Sequence, residues 1–459
     1  RPKGIRADLL VADPMLPGSN DLTVVTVRSS EGTFSFSVND LENGPIYIPA
    51  FSAYITYASD TTRFVESSMK RGQKIRERLK EEPEQTYDRA CREIPELSVM
   101  LREDGVKLDL PIAPDASWQK FAIEWGGSFY MDKNATKAKG KELERCLWRG
   151  NRLQWSVGTG AEPVYLRDDK SSHLSFLNDY LPVTEVNWNH EGLIYQEEAF
   201  ATLLEGPLSP YDTRRSEQTP AILMVKLKIS NPANEEKTAQ VWLKGEPFDH
   251  PLLRDLFILD QENGKNYIRA KINLPESIDP SGVKMIQNAV NLPFTVPANQ
   301  TVSFYISFPF VGDLTEDSRM KFSALDYETE RQRVVSYWRD IVSECTPFDV
   351  PERKFNEMGR SVIPHIRMSA TKDPKSGLFM VPAASFGYMV FANESAFQTI
   401  YLDKIGDHQT AAGYLETFLK LQGKDPLLGT FTGDQSAVFH GAKVDEEYNY
   451  TFQDYNLDH

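Results

Sequence analysis

The 459-residue chain is poor in cysteine, in long apolar runs and in positive charge. Cys91, Cys146 and Cys345 lie far apart without metal-type spacing, which argues against a disulfide framework and a cysteine-based metal site. No apolar run approaches the ~20 residues that span a bilayer. The chain carries 51 Lys and Arg against 66 Asp and Glu, a net charge of −15. An acidic surface repels phosphate backbones and anionic lipids, so we expect neither nucleic-acid nor membrane partners, whereas a neutral glycan is compatible.

Several catalytic motifs are missing as well. The sequence has no nucleotide-binding glycine loop, no HExxH and no Gly-x-Ser-x-Gly, and it implies no organic cofactor. No EF-hand spacing is present, although the acidic residues leave a structural Ca²⁺ open. The chain opens Arg-Pro-Lys-Gly-Ile-Arg, without Met or a signal-peptide core, which suggests a removed leader or a fragment. A periplasmic or secreted location is favoured over a cytoplasmic one.

Up to about residue 312, the chain shows the alternation of half-buried strands. In residues 221–230, AILMVKLKIS, every second residue from Leu223 to Ile229 is apolar, and Met224, Lys226 and Lys228 lie between them, so one face should be buried and the other mostly wet. Further strand-like runs lie at residues 22–28, 34–38, 46–49, 120–131, 152–157, 193–201, 238–245 and 301–309. Many strands with little helical pattern predict a large antiparallel β-sandwich. The one interruption, the charged segment 68–97, is predicted to be a surface helix broken at Pro83.

After residue 312 the apolar period becomes helical. A helix is predicted over 327–344, and a connector with two prolines follows it at 346–351. Its predicted buried face consists of Tyr327, Val334, Trp338 and Ile341. The next helix has a predicted buried face of Phe355, Met358, Val362 and Ile366.

A helical hairpin is predicted after residue 392. Asn393 is the expected N-cap of its first helix, Gly406 the expected stop, and Asp407 the expected cap of its second helix. The predicted buried stripe of the second helix is Ala411, Leu415, Phe418 and Leu419. These patterns divide the chain into a sandwich domain (1–312), a linker helix (313–348) and a helical domain (349–459).

This order resembles that of the six-hairpin glycosidase superfamily, particularly its bacterial glucoamylase-like and maltose-phosphorylase-like branches. The residues that carry the resemblance are Tyr337-Trp338-Arg339-Asp340, Phe386-Gly387-Tyr388, Phe391-Ala392-Asn393-Glu394, Ile405-Gly406-Asp407-His408 with Ala411-Ala412, and Tyr455-Asn456-Leu457-Asp458-His459. The resemblance implies an N-terminal sandwich packed on an (α/α)6 toroid, of which this chain holds only the first hairpins. Sheets before helices also favour the hydrolases and phosphorylases of this fold over its lyases.

The resemblance also implies where a sugar binds. In the superfamily, sugars lie at the toroid end formed by loops that correspond here to residues 372–392 and 424–451. An acidic residue near Glu394 hydrogen-bonds a sugar in relatives, and a carboxylate suits vicinal hydroxyls; alternatively, Glu394 only stabilises the positive end of its helix. Tyr388 and Phe391 are candidate stacking platforms or core residues. Asp434 and Asp458 are candidate sugar contacts or solvated loop acids.

The leading hypothesis is a glycoside hydrolase that acts on a neutral oligo- or polysaccharide by carboxylate acid/base catalysis. The alternatives are a phosphorylase on the same scaffold and a non-catalytic carbohydrate-binding or assembly protein. In the superfamily the general acid lies later along the toroid, so we expect it after His459. We also expect residues 350–459 to pack on a C-terminal segment or a dimer partner. Without such neighbours, Leu415 and Phe418 should face water.

Overall fold

The fold is taken from a computed structural model of the chain, in which two compact units comprise residues 1–96 and 97–459. The structure describes residues 23–30, 32–38, 41, 45–48, 51, 53–59, 86, 110–124, 126–131, 153–165, 173–248, 250–262, 264–346, 349–351, 353–382, 392–422 and 428–429. The sequence does not predict a division near residue 96. The domain limits expected at residues 312 and 348 stay predictions.

The described part of the first unit consists of two short antiparallel hairpins. Their strands are β1 (Val24–Ser29), β2 (Gly32–Ser37), β3 (Ile46–Ile48) and β4 (Ala53–Ile55). Strands are therefore confirmed in all three runs predicted here, but they form two-stranded sheets of their own rather than sandwich strands. The helix predicted over 68–97 lies outside the described residues.

The second unit contains two large antiparallel sheets. Their strands are β5 (Leu110–Ile112), β6 (Phe121–Ile123), β7 (Phe129–Met131), β8 (Leu153–Thr159), β9 (Val164–Tyr165), β10 (His173–Leu177), β11 (Leu181–His190), β12 (Leu193–Leu203), β13 (Ala221–Ser230), β14 (Lys237–Glu246), β15 (Pro251–Arg254), β16 (Phe257–Glu262), β17 (Lys265–Asn273), β18 (Lys284–Ile286), β19 (Ala289–Val296) and β20 (Thr301–Pro309). A short 3₁₀ turn, Pro280–Gly282, precedes β18. One sheet has the order β10-β11-β12-β13-β20-β17-β16-β15; the other has β18-β19-β14-β8-β7-β6-β5, with β9 beside β8.

The two sheets share one apolar core. The Phe308 ring on β20 lies 4.7 Å from Phe129 and 4.8 Å from Trp155, centroid to centroid, and both partners belong to the opposite sheet. Phe294 and Phe304 make a similar contact across the sheets at 5.6 Å. Large side chains buried in this way stabilise a fold by ~1.5–3 kcal/mol each. Alternating strands thus form the sandwich that their period predicts.

Helices follow the last sandwich strand. They are α1 (Glu316–Ser323), α2 (Tyr327–Glu344), α3 (Arg353–Ser369), α4 (Ala392–Lys404) and α5 (His408–Leu421). A small hairpin of β21 (Thr371–Lys372) and β22 (Phe379–Met380) lies between α3 and α4. The predicted order of sheets followed by helices is confirmed, while a closed toroid stays a prediction.

Helix α2 lies on the outer face of the first large sheet. Asp326 caps its first turn by accepting from the Thr329 N–H at 2.9 Å. The Arg331 guanidinium binds both oxygens of Glu198 on β12, at 2.7 and 2.8 Å, and this pair fixes the helix to the strand. Tyr327, Val334 and Trp338 are buried as predicted, whereas Ile341 is half-buried and Val342 is buried.

Several predicted details of the later helices are wrong. Phe355 and Met358 are 45% and 54% exposed, because α3 turns a different face, with Ile363 and Met368, toward the rest of the unit. Asn393 is not the N-cap, since α4 already begins at Ala392. In contrast, Asp407 is confirmed as a cap, and Gly406 adopts the left-handed φ of 97° expected of a stop.

The predicted stripe of α5 is half right. Ala411 and Phe418 are buried, but Leu415 and Leu419 are exposed. Tyr414 and Thr417 are buried instead of the two leucines. Of the two side chains expected to face water, Leu415 does and Phe418 does not.

No helix among the described residues is long and apolar enough to cross a membrane.

Candidate functional site

The hairpin β21–β22 is the first loop of the predicted sugar site that the structure describes. Its turn is organised by Asp373, a fully buried residue whose Oδ2 accepts from the Ser376 backbone N–H at 2.7 Å and from the Ser376 hydroxyl at 2.6 Å. Gly377 closes the turn with a φ of 73° and donates its N–H to the Asp373 carbonyl at 2.8 Å. The turn is therefore held in one shape by its own polar groups.

The hairpin is attached to both the sandwich and α5. The Trp118 indole donates to the Lys372 carbonyl at 2.6 Å, and the Lys372 ammonium donates to the Pro210 carbonyl at 2.6 Å. On the other strand, the Phe379 N–H donates to the Thr417 hydroxyl at 3.0 Å. The Phe379 ring also lies 5.4 Å from that of Tyr414. These contacts leave the hairpin little freedom to move relative to the sandwich.

Helix α4 begins beside the segment that leaves the hairpin. The Ser395 hydroxyl donates to the Val381 carbonyl at 2.6 Å, and the Gln398 amide donates to the Pro382 carbonyl at 3.0 Å. Glu394 lies in the same first turn and is half-buried. The N-terminal turn of a helix favours a carboxylate, since its free N–H groups are the positive end of the helix dipole. Glu394 is thus placed at the end of the helices where the hairpin lies.

The second predicted loop meets the first at this end. Gly429, which follows α5, has a φ of 65° and lies against the hairpin turn. A Cβ on Gly429 would overlap Asp373 Oδ2 and would lie 2.7 Å from the Ser376 hydroxyl oxygen. Only glycine allows so close an approach. The structure therefore brings together parts of the two loops, 372–392 and 424–451, that the sequence analysis assigns to sugar binding.

The remaining predicted site residues are Tyr388, Phe391, Asp434 and Asp458, and all four lie outside the described residues. Their roles stay predictions, as does the single cleft that Tyr388 and Asp458 are expected to line with Glu394. Among the residues that the structure does describe, no group of three or more His, Cys, Asp and Glu could hold a metal ion.

A buried ionic network beneath this region was missed by the sequence analysis. The Arg367 guanidinium on α3 donates to Asp115 Oδ2 through Nη2 at 2.6 Å and Nε at 2.9 Å, and its Nη1 donates to Asp407 Oδ2 at 2.8 Å. Thr410 accepts from the same Nη1 at 3.2 Å, and the Tyr337 hydroxyl donates to Asp115 at 2.5 Å. Burial, with the charge of Asp115, raises the pKa of Tyr337 well above its usual value. The network joins a sandwich loop to three helices.

Lys120 reinforces this junction. Its ammonium is fully buried and donates to the carbonyls of Ser117, Met368 and Ala370, at 2.6, 2.5 and 2.8 Å. Burial lowers the pKa of Lys120 to about 7, but three carbonyl acceptors and the nearby Asp115 favour the charged form. Since its three N–H groups are engaged, we assign Lys120 to structure rather than to nucleophilic chemistry. No local sequence pattern predicts the contacts of Lys120 with Met368 and Ala370, because these residues lie about 250 positions away in the chain.

A second buried acid lies inside the sandwich. Glu197 on β12 is 1% exposed, and burial raises its pKa to about 8. Neither of its carboxylate oxygens has a hydrogen-bond partner among the described residues. Gly127 packs directly on it, as a Cβ there would lie 2.9 Å from Glu197 Oε2. A raised pKa is typical of catalytic acids, but a carboxyl group enclosed by the sandwich core cannot reach a polymeric substrate.

Comparisons with known proteins assign no family. No protein-family model matches the chain, and no curated protein matches it. Two glycoside hydrolases are among the solved structures that it resembles. A bacterial glucoamylase complexed with acarbose is 9% identical with a TM-score of 0.33, over 72% of this chain and 54% of that one. A family GH92 α-mannosidase from Bacteroides thetaiotaomicron is 10% identical with a TM-score of 0.22, over 57% and 40%. The chain thus spans about half the length of the glucoamylase that it resembles.

Proposed function

We propose that the chain belongs to a glycoside hydrolase that acts on a neutral oligo- or polysaccharide by carboxylate acid/base catalysis. The observation that carries the proposal is the contact of Gly429 with the hairpin turn of Asp373 and Ser376. Two separate loops meet at the end of the helices where Glu394 lies, as a sugar site built from alternate loops of a toroid requires. The net charge of −15 agrees with an uncharged ligand.

Glu394 is the proposed sugar-binding residue. A carboxylate accepts hydrogen bonds from two hydroxyl groups at once, and hydrogen bonds to a charged group contribute ~1.5–3 kcal/mol. We assign Glu394 to binding and not to proton transfer. Tyr388, Phe391, Asp434 and Asp458 remain the further proposed contacts.

A glycan panel tests the class of function. The full-length protein is incubated with neutral α- and β-linked oligosaccharides, with and without inorganic phosphate, and released reducing sugar and sugar phosphate are measured. Release of reducing sugar without phosphate supports a hydrolase. Release that needs phosphate and yields a sugar 1-phosphate supports the phosphorylase alternative. Binding to an array of the same glycans without turnover supports the non-catalytic alternative.

A pair of matched variants tests the site. Glu394→Gln keeps the shape of the side chain and removes its charge, so we expect affinity for the best glycan to fall by about tenfold or more. Glu416→Gln on α5 is the control, because this side chain is 56% exposed and its ion pair within the described part of the chain is a 3.9 Å contact with Lys420. Equal affinities for both variants would contradict the proposed role of Glu394.

A further inference from the structure

A cavity of ≈ 280 Å³ lies at the other end of α4. Its walls come from α2, α3, α4 and the turn between β10 and β11, and they include Tyr180, Cys345, Thr346, Arg360, Ile363 and Tyr401. The cavity opens to solvent, so a ligand can enter it. Its volume is several times the ~30 Å³ that a water molecule occupies in the liquid, and it can therefore hold a small organic molecule.

The aromatic walls of the cavity are held in place. Tyr180 follows Asn178 and Asp179, which have φ values of 54° and 66° and form the tight turn of the sandwich. Asp179 in turn binds the Arg353 guanidinium on α3 at 3.0 Å. On the facing wall, the Tyr401 hydroxyl donates to the Gly359 carbonyl at 2.6 Å. Both rings are thus positioned before any ligand arrives, which lowers the entropic cost of binding.

Arg360 gives the cavity a positive charge. The other cations of α3 are paired with acids: Arg353 and Lys354 with Glu357, and Arg367 with Asp115 and Asp407. Within the described residues Arg360 makes no ion pair, and its contact is with the Tyr180 ring, 6.0 Å from the centroid. An exposed guanidinium at the wall of a cavity has five donors in a geometry that matches carboxylate and phosphate groups.

The other polar hydrogens of the walls are largely used within the protein. The Ser343 hydroxyl donates to the Asp340 carbonyl at 2.8 Å, and the Cys345 thiol lies 3.3 Å from the Ile341 carbonyl that it donates to. Together with Tyr401, these groups leave Arg360 as the charged donor toward the cavity, with the Thr346 hydroxyl beside it. A ligand therefore needs an acceptor of opposite charge at one end and a compact body that fits between Tyr180, Ile363 and Tyr401.

We infer that this cavity binds a small organic anion, with a carboxylate or phosphate on Arg360 and its body against the two tyrosine rings. The site is separate from the proposed sugar site, because Tyr401 lies seven positions after Glu394 along α4. At 1.5 Å per residue this is about 10 Å along the helix. The inference does not depend on the glycosidase proposal.

Calorimetric titration of the full-length protein tests the inference. The probes are inorganic phosphate, D-glucuronate and D-glucose 6-phosphate, with D-glucose as the uncharged control, all at constant ionic strength. We expect glucuronate, glucose 6-phosphate or both to bind. They should bind more tightly than inorganic phosphate, which has no ring to contact the two tyrosines. Which of the two binds more tightly distinguishes a carboxylate site from a phosphate site. Glucose should not bind.

Two variants connect binding to the cavity. Arg360→Met should weaken the best anion by about tenfold or more, since a charge-assisted hydrogen bond is lost. Arg339→Met is the matched control on α2, where the arginine side chain is 57% exposed and lies 3.7 Å from Asp340. Arg360 is exposed and makes no ion pair among the described residues, so its substitution should leave the melting temperature nearly unchanged.

Cys345 provides a readout in the unmodified protein. Burial, with the charge of Asp407, raises the pKa of its thiol to about 11, so its modification should be slower than that of an ordinary exposed thiol. Methyl methanethiosulfonate labelling of the Cys345 peptide, measured by mass spectrometry, should slow severalfold when the best anion is bound. The inference is overturned if none of the anions binds, if glucose binds as tightly as they do, if Arg360→Met binds like Arg339→Met, or if a bound anion leaves the Cys345 rate unchanged.

Discussion

The sandwich and the helices of residues 97–459 treat their large apolar side chains differently. Phe121, Phe304 and Phe308 in the sandwich are buried, whereas Phe397 on α4 and Leu419 on α5 are 75% and 74% exposed. Two facing sheets cover each other, so every inward side chain finds a partner. A helix covers only the stripe that faces its neighbour, and α4 and α5 keep apolar residues on the opposite side. Burial of apolar side chains therefore stabilises the sandwich throughout its core, but it stabilises α4 and α5 only along their inner faces.

Replacing one phenylalanine by alanine in each region should test this difference most clearly. Phe308→Ala should lower the free energy of unfolding by about 3–5 kcal/mol, because it opens a cavity beside Phe129 and Trp155. Phe397→Ala should change it by no more than about 0.5 kcal/mol, since that ring is already in solvent. Tryptophan fluorescence in urea is the measurement; all seven tryptophans follow residue 97, so it reports on the second unit alone. Similar losses for both variants would contradict the contrast.

The junction between the two regions should depend on charge rather than on apolar contact. Arg367→Met leaves Asp115 buried without its cation, and we expect a loss of about 3–5 kcal/mol. Adding Asp115→Leu to this variant should recover part of the loss, because it removes the unpaired charge. Urea denaturation of the single and double variants makes the test, with Arg339→Met as the exposed control. A double variant less stable than Arg367→Met would show that the network does not act as a pair of charges.

The sandwich core should respond to pH through Glu197. Its pKa is about 8 in the folded protein, against an ordinary value of 4.5, so the folded state keeps a proton that the unfolded state releases between these two pH values. The free energy of unfolding should therefore fall as pH rises from 4.5 to 8, by up to ~1.4 kcal/mol per unit.

Glu197→Gln tests this linkage. A glutamine cannot ionise, so this part of the pH slope should disappear and the variant should be more stable than the parent at pH 8. Urea titrations at pH 5, 6.5 and 8 measure the slope, and Glu416→Gln should retain it. The raised pKa would be contradicted if the free energy of unfolding of the parent protein changed with pH no more than that of Glu197→Gln.

The smallest effect is expected where the loops meet. Gly377→Ala and Gly429→Ala both force alanine into a left-handed φ, at a cost of about 1–2 kcal/mol each. Nothing lies within 4 Å of a Cβ at Gly377, whereas a Cβ at Gly429 overlaps Asp373. We therefore expect Gly429→Ala to cost more in stability and to speed hydrogen exchange in the hairpin turn. Identical exchange in that turn for Gly429→Ala and the parent would argue against the contact between the loops.

Much of the fold could be predicted because local patterns report it. The alternation in residues 221–230 predicts a strand, and β13 forms there and pairs with β12 and β20. The expectation of one mostly wet face holds for Lys226 and Lys228 but is wrong for Met224, which is buried. Asp407 and Gly406 are recognisable because a cap and a stop depend on residues within one turn. The faces of α3 and α5 could not be predicted in the same way. Each carries more apolar residues than one stripe can bury, and only the neighbouring elements select which stripe is covered.

In the candidate site, too, some features follow from the sequence and others only from the tertiary structure. The sequence by itself determined the order of sheets and helices and the turn residues, since each is a local property. The two loops with candidate sugar contacts are implied by the resemblance to the six-hairpin glycosidases and stay a prediction. Only the tertiary structure decided that Gly429 lies on Asp373, that Arg367 is held between Asp115 and Asp407, and that Arg360 faces a cavity beside Tyr180. These contacts join residues from 40 to about 250 positions apart. The packing of the sandwich against the helices sets such distances, and no local pattern in the chain records them.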